Sequence, residues 1–383
     1  MSENGLARAV QGTWSKFRFG WPILRAKITG RPVLFQVQFT LTNHCNLRCA
    51  YCYADYPHRP APDLPTEEIH RIIDDLHSVG TRRVNLVGGE PLVRNDIGEI
   101  VDHAKAKGLE CAMTTNGYFV ARRIETVRKL DLLCVSLDGP PAAHDRCRGE
   151  GSHAPAMEAI ELAADNGIPL QVACVLTRFN LDCIEYLLDM GKRLGFAVGF
   201  STLITAAGSN GSGRPEYLPT DAEYREALER ILGYKAQGYP VLFSRKSLEY
   251  ALSWKCGYDH DKIMGEEPGF SHIRCNAGRY FAIVDANGDL YPCPAMVDLF
   301  KPLNILKDGI ARALEHAGRH PCKTCHIPCM NDFNLLYSLD VGVIMNILRT
   351  YRCRSPQNRP ACVQPPAEPF AVPSVTRQVC NVE

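Results

Sequence analysis

The chain has almost no net charge: 43 basic residues face 42 acidic ones across 383 residues, a formal charge of +1. That balance removes the overall electrostatic attraction on which nucleic-acid binding draws, so no nucleic-acid partner is expected. Long apolar runs are also missing: none reaches the roughly 18 residues that a membrane-crossing helix needs. The opening stretch, MSENGLARAVQGTW, lacks a basic segment followed by an apolar one, so no secretory signal is expected. No internal repeat is found. Tryptophan is scarce, three in all, and two of them fall in residues 12–29. An apolar fraction of 45% with 22% charged residues excludes wholesale disorder, because a chain this long can bury a large core.

Cysteine, by contrast, is abundant, with 17 residues. The count is odd and no export signal is seen. A reducing, cytoplasmic setting follows, in which clustered thiols are more often metal ligands than disulfides. Residues 35–53 read FQVQFTLTNHCNLRCAYCY. Phe35 to Leu41 alternates apolar and polar residues as a strand does, and Thr42-Asn43-His44 forms a turn. Cys45, Cys49 and Cys52 then follow at C-x3-C-x2-C. Three soft thiolates on one loop suit an iron–sulfur cluster with one open iron. With His44 as a fourth ligand they would also suit a structural zinc.

Strands are expected near 35–41, 83–87, 110–115, 132–137, 169–176 and 198–202. Helices are expected near 66–79, 95–107, 120–130, 154–166 and 182–194. This alternation argues for parallel strands with crossover helices. Candidate polar residues fall at the strand ends: Gly88-Gly89-Glu90, Asn116, Ser136 and Asp138, with Arg148 shortly after. Gly88 and Gly89 permit close backbone approach. Glu90 has a structural reading as the cap of the following helix. Asn116 begins an Asn-Gly turn signal, Ser136 has a structural reading as a strand-end hydroxyl, and Arg148 has the forked donors that bind a carboxylate.

CNLRCAYC resembles the C-x3-C-x-aromatic-C hallmark of the radical S-adenosylmethionine (SAM) superfamily, with Tyr51 in the aromatic place. VNLVGGEPL, ECAMTTNGY, LLCVSLDG and HDRCRG follow in the family's order, so the resemblance covers about residues 35–205. It implies an α/β fold, a partial (β/α)6 TIM-type barrel, with chemistry at the C-terminal strand ends. It also implies a [4Fe–4S] cluster on Cys45, Cys49 and Cys52 whose open iron chelates SAM. One electron then cleaves SAM to methionine and a 5′-deoxyadenosyl radical that abstracts hydrogen. An external one-electron reductant of flavodoxin or ferredoxin type is implied too. Tyr51, Gly88, Gly89, Glu90, Asn116, Ser136, Asp138 and Arg148 become the candidate SAM contacts, with Arg148 facing the SAM carboxylate.

From about residue 240 the alternation stops and cysteines concentrate. CNAGRYFAIVDANGDLYPC carries Cys275, Cys293 and a hairpin turning at Asn287-Gly288. CKTCHIPC carries Cys322, Cys325 and Cys329, and Cys353 lies beyond. This part resembles the SPASM/twitch extension of radical SAM enzymes, a cysteine-rich domain that holds auxiliary clusters. The downstream run is one cysteine short of the full pattern, so one auxiliary cluster, of the [4Fe–4S] kind, is expected. The spacing does not choose among Cys322, Cys325, Cys329 and Cys353, and a four-cysteine zinc ribbon stays open.

The expected organisation is an N-terminal segment (1–34), the barrel (35–205), a linker and helix (206–239), the auxiliary domain (240–363) and a Pro-rich tail (364–383). Residues 12–29 interleave aromatics with basic residues. They read either as a peripheral membrane contact or as an element packed on the open side of the barrel; Pro22 favours the second. Residues 334–350 are expected as one helix, and 205–219 as a mobile loop. Cys111, Cys134, Cys174 and Cys183 read as buried small hydrophobes. Cys147, Cys256, Cys362 and Cys380 carry no assignment. Since no peptide-recognition domain is expected ahead of residue 35, a small-molecule or lipid substrate ranks above a ribosomal peptide. The competing class is a non-catalytic zinc or iron–sulfur binding module.

Overall fold

The computed structural model describes residue 28 and residues 33–54, 63–204, 215–297 and 299–353, with the backbone alone for 351–353. Most of the aromatic–basic stretch 12–29, residues 205–214, the Cys353 side chain, Cys362, Cys380 and the Pro-rich tail lie outside the described residues.

Six parallel strands lie side by side in chain order: β1 (Gln36–Thr40), β2 (Arg83–Val87), β3 (Glu110–Thr115), β4 (Leu132–Ser136), β5 (Leu170–Leu176) and β6 (Ala197–Thr202). The connections carry α1 (Thr66–Ser78), α2 (Ile97–Ala106), α3 (Ile124–Val127), α4 (Pro141–Arg148), α5 (His153–Asp165) and α6 (Ile184–Leu194). An order without reversal, joined by crossovers of one hand, keeps the helices on one face of the sheet. Alternate strand residues such as Phe39, Leu86, Met113, Val135, Val172 and Phe200 are buried in that layer with Ile72, Ile100, Ile160 and Leu187 of the helices. Among the intervening positions, which point the other way, Gln38, Asn85, Thr114, Ser136, Gln171 and Ser201 are polar and half-buried, whereas Ala112, Leu132 and Cys134 are buried. Helix α4 was not expected, because Pro140-Pro141 reads as a loop. Pro141 takes the first helical position, where a missing N–H costs nothing.

After β6 come α7 (Asp221–Ala236), α8 (Arg245–Leu252) and β7 (Lys262–Met264). Then follow β8 (Phe281–Val284), β9 (Asp289–Tyr291), β10 (Leu303–Asn304), α9 (Ile305–Asp308) and α10 (Ile310–Ala317). The chain continues through β11 (Cys322–Cys325), α11 (Pro328–Tyr337) and α12 (Val341–Cys353). The hairpin β8–β9 forms around Gly288, whose φ of 87° suits glycine. Strand β8 also pairs in parallel with the free edge of β1, Gln36 opposite Phe281, so the hairpin and β10 extend the same sheet to nine strands.

The single helix expected over 334–350 is two helices. Leu339 turns the chain with φ 62°, and the Asp340 carboxylate accepts from the Val343 N–H (3.0 Å) to start α12. Cys111, Cys134 and Cys174 are buried as expected, whereas Cys183 is half-buried in a 3-10 turn at Leu181–Cys183.

Candidate functional site

The loop that leaves β1 is fastened to the end of β2 by backbone hydrogen bonds. Leu41 N–H donates to Val87 O, Gly89 N–H to Thr42 O and Glu90 N–H to His44 O, each at 2.8 Å. A Cβ on Gly88 would stand 2.8 Å from Thr42 O, and one on Gly89 would stand 2.3 Å from His44 O. The two glycines therefore let the cysteine loop dock. Cys45, Cys49 and Cys52 follow on this loop, half-buried and free of disulfides. Ala50 N–H donates to Cys147 O (2.8 Å), which ties the loop to α4. Burial pushes the Cys45 thiol up to about 12 and raises Cys49, which the Arg148 guanidinium partly offsets. A metal binding here displaces those protons.

Glu90 is fully buried, and its carboxylate is already engaged. It accepts from Leu92 N–H (3.1 Å), the Thr115 hydroxyl (2.8 Å) and Asn116 N–H (2.8 Å). It thus caps the short turn Pro91–Val93 and joins the ends of β2 and β3. Burial pushes it up to about 7 against these hydrogen bonds. Asn116 reaches the cysteine loop directly, Nδ2 donating to Asn46 Oδ1 (2.9 Å).

Asp138 lies just beyond β4, wholly buried, and accepts from the Tyr51 hydroxyl (2.6 Å), Arg148 Nε (2.7 Å) and Val175 N–H (3.1 Å). The Arg148 guanidinium also stands 5.4 Å from the Tyr51 ring centre. Arg148 pairs with Asp138 through Nε. The three residues brace the aromatic of the cysteine motif against the sheet. Ser136 ends β4 half-buried on the polar face.

The second cysteine group converges more tightly. Cys275, Cys293, Cys322 and Cys325 line one pocket with Lys262, Phe281 and Met330. Cys322 and Cys325 sit on one strand three residues apart, a spacing that in a regular strand points side chains to opposite faces. A bulge corrects this. In the β11–β7 pairing Cys322 faces Met264, Thr324 faces Ile263 and Cys325 faces Lys262, leaving Lys323 as the extra residue. Lys323 O in turn accepts from Cys275 N–H (2.8 Å). Ligand atoms of Cys275, Cys322 and His320 lie within 4.8 Å of one another. His320 spends its ring nitrogens on Cys322 N–H (3.2 Å) and Ala277 O (3.0 Å), so it orients the thiols. The Cys322 thiol, donating to Cys275, holds the Cys275 thiol well below its usual range, with His320 adding to the effect. Cys322 is pushed up by that contact and by burial, and burial likewise raises Cys293 and Cys325.

Cys329 does not line this pocket; its thiol is hydrogen-bonded to Ser201 of β6. Four converging thiolates form a complete set for one cubane, and the donor chemistry fits an iron–sulfur cluster. Sequence reasoning missed Lys262 and the bulge. A C-x2-C pair on a strand was the available signal, because only an extra residue brings both thiols to one side.

The fold is of the parallel-barrel type, and both thiol groups fit iron–sulfur ligation. The sequence profile of the Radical SAM superfamily matches residues 39–191. The chain is 31% identical over 277 residues to the mycofactocin maturase MftC of Mycobacterium ulcerans, covering 70% of this chain and 71% of that one. It is 28% identical over 285 residues to the AdoMet-dependent heme synthase of Nitratidesulfovibrio vulgaris, covering 69% and 74%. The fold is shared with Streptococcus suis SuiB bound to SAM, at a TM-score of 0.60 and 16% identity over 76% of this chain and 67% of that one. The chain belongs to the radical SAM superfamily. Its α/β sheet is the partial barrel of that family, and its cofactors are SAM and a [4Fe–4S] cluster. Among the described residues no helix is long and apolar enough to cross a membrane.

Proposed function

We propose that Cys45, Cys49 and Cys52 hold the SAM-binding cluster, that Cys275, Cys293, Cys322 and Cys325 hold one auxiliary iron–sulfur cluster within a SPASM-like region spanning 240–363, and that the enzyme acts on a polar substrate. The observation that supports this best is the set of three disulfide-free thiols on a loop docked against Gly88-Gly89-Glu90. When bound, the cluster and SAM supply reductive cleavage of SAM to methionine and a 5′-deoxyadenosyl radical that abstracts hydrogen from the substrate.

The chain's own residues supply position and exclusion of water. Gly88 and Gly89 seat the loop, Glu90 and Asn116 tie it to β3, and the Asp138–Arg148 pair holds Tyr51. The electron enters from an external one-electron reductant of flavodoxin or ferredoxin type. The inner face of the sheet carries the amides and hydroxyls of Gln38, Asn85, Thr114, Ser136, Gln171 and Ser201; Asn85 Nδ2 donates to the Thr114 hydroxyl (3.2 Å), Gln38 Nε2 to the Tyr53 hydroxyl (3.4 Å), and Ser201 is hydrogen-bonded to the Cys329 thiol. Such a polar lining suits a substrate rich in hydrogen-bonding groups better than a lipid. A peptide meets that requirement, and the mycofactocin-maturase relative supports it. This reverses the ranking from sequence, which put small molecules and lipids first. Peripheral membrane contact through residues 12–29 stays a proposal on residues outside those described.

The test is anaerobic reconstitution with iron and sulfide, followed by dithionite and SAM. About eight irons per chain, the count for two four-iron cubanes, together with 5′-deoxyadenosine, are expected. Cys45→Ala abolishes 5′-deoxyadenosine and keeps about half the iron. Zinc in both sites with SAM left intact refutes the proposal.

A further inference from the structure

Lysine is among the side chains least often buried, and it is buried only with a partner. Lys262 is such a case. Its side chain is 7% exposed and that of Asp261 is 2% exposed, with Nζ and Oδ1 2.6 Å apart. Its position is specific in two ways. Lys262 stands directly opposite Cys325 in the β7–β11 pairing, and cross-strand partners share a face. It also lines the pocket of Cys275, Cys293, Cys322 and Cys325, whose other lining residues are all apolar. Asp261 is not among the lining residues. Its backbone O accepts from the N–H of His326, the residue after Cys325 (3.1 Å). Lys262 is the member of the pair that lines the pocket; at Cys293 its charge outweighs the opposing charge of Asp261, which also acts on Cys325.

We propose that Lys262, held by Asp261, is the positioning charge that sets the reduction potential of the auxiliary cluster. The inference rests on the reading that these four cysteines hold an iron–sulfur cluster. Four thiolates around a cubane carrying two positive charges leave a doubly negative group, and reduction adds one more electron. A buried cation stabilises the reduced form more than the oxidised one, and low-dielectric surroundings enlarge the difference. Cluster potentials respond to net charge and burial in this way. Reduction of [4Fe–4S]2+ to [4Fe–4S]1+ takes one electron from a low-potential donor, here dithionite, and no bond in the protein changes.

The experiment uses the full chain carrying Cys45→Ala, Cys49→Ala and Cys52→Ala, so that only the auxiliary cluster reports. The protein is reconstituted anaerobically, its iron is counted, and it is titrated with dithionite and mediators under electron paramagnetic resonance. Lys262→Met is expected to lower the midpoint by at least a tenfold change in the reduction equilibrium, ~59 mV for a one-electron couple. Lys262→Arg, which keeps the charge, restores it. Asp261→Asn, which frees the cation of its counter-charge, moves the midpoint the opposite way. Lys262→Met with iron retained and the midpoint unmoved overturns the inference. Where Lys262→Met fails to keep its iron, Asp261→Asn decides, and the absence of an upward shift overturns it. Zinc, or no iron–sulfur signal in the triple-alanine parent, overturns instead the reading of the four cysteines.

Discussion

If the Asp138–Arg148 pair holds the cysteine loop, then removing both partners should cost less than the two single losses added together. Asp138 is wholly buried and Arg148 nearly so, at 0% and 9% side-chain exposure. Arg148→Met leaves the Asp138 carboxylate with only the Tyr51 hydroxyl and Val175 N–H to stabilise its charge. Asp138→Asn leaves a guanidinium without its counter-ion. Truncating one partner of a buried pair typically costs about 3–5 kcal/mol, because the survivor stays buried and uncompensated. The double variant, Asp138→Asn with Arg148→Met, carries neither charge. It should fall short of the summed single costs by about 2–3 kcal/mol, the upper range for directly coupled neighbours. The measurement is urea unfolding of iron-free, reduced protein, which avoids the multistate behaviour that bound cofactors bring. In the reconstituted enzyme the single variants should also lose 5′-deoxyadenosine formation, since Tyr51 is then unbraced between Cys49 and Cys52. Additive costs, with a coupling below about 0.5 kcal/mol, would refute the reasoning.

Two further outcomes follow from the geometry. Deleting Lys323 removes the bulge and turns Cys322 to the other face, so about four irons per chain should be lost while 5′-deoxyadenosine formation survives; full iron retention in the deletion variant rules the bulge out as the aiming device. Glu90, pushed up to about 7 by burial, binds its proton more tightly folded than unfolded, so its contribution to stability is present at low pH and is lost as pH rises from about 4.5 through about 7, by about 3 kcal/mol. Urea midpoints of iron-free protein between those pH values should therefore fall less in Glu90→Gln than in the parent, and parallel curves would discard the assignment.

Much of the architecture was legible because it is local. Alternation in Phe35 to Leu41 is a property of one strand and its two faces, and the cysteine spacing is a property of one loop. The four auxiliary thiols were legible as a group but not as a selection. Cys322, Cys325 and Cys329 look alike by spacing, and only the packing of α11 against β6 turns Cys329 toward Ser201. The Asp138 partner of Arg148 was hidden for a similar reason. A forked donor near a ligand site suits a carboxylate of any origin, and the one it found was Asp138, ten residues earlier in the chain. The break between α11 and α12 hid behind an apolar pattern, since nothing in the sequence of Leu339 announces a left-handed conformation. Register was wholly out of reach: that Lys262 faces Cys325 depends on two strands far apart in the chain.

The pairing of β8 with β1 has a consequence for how the molecule is made. Gln36 meets Phe281 only after roughly 240 further residues have been joined, which takes about 12–50 s at ordinary synthesis rates. Throughout that interval one side of β1 stands as a bare edge, open to pairing with other nascent chains. The same strand leads into the loop of Cys45, Cys49 and Cys52. The earliest thiols to leave the ribosome thus wait beside an unsealed seam until the latest part of the sheet closes it, and iron delivered before that closure would meet a loop supported from β2 alone.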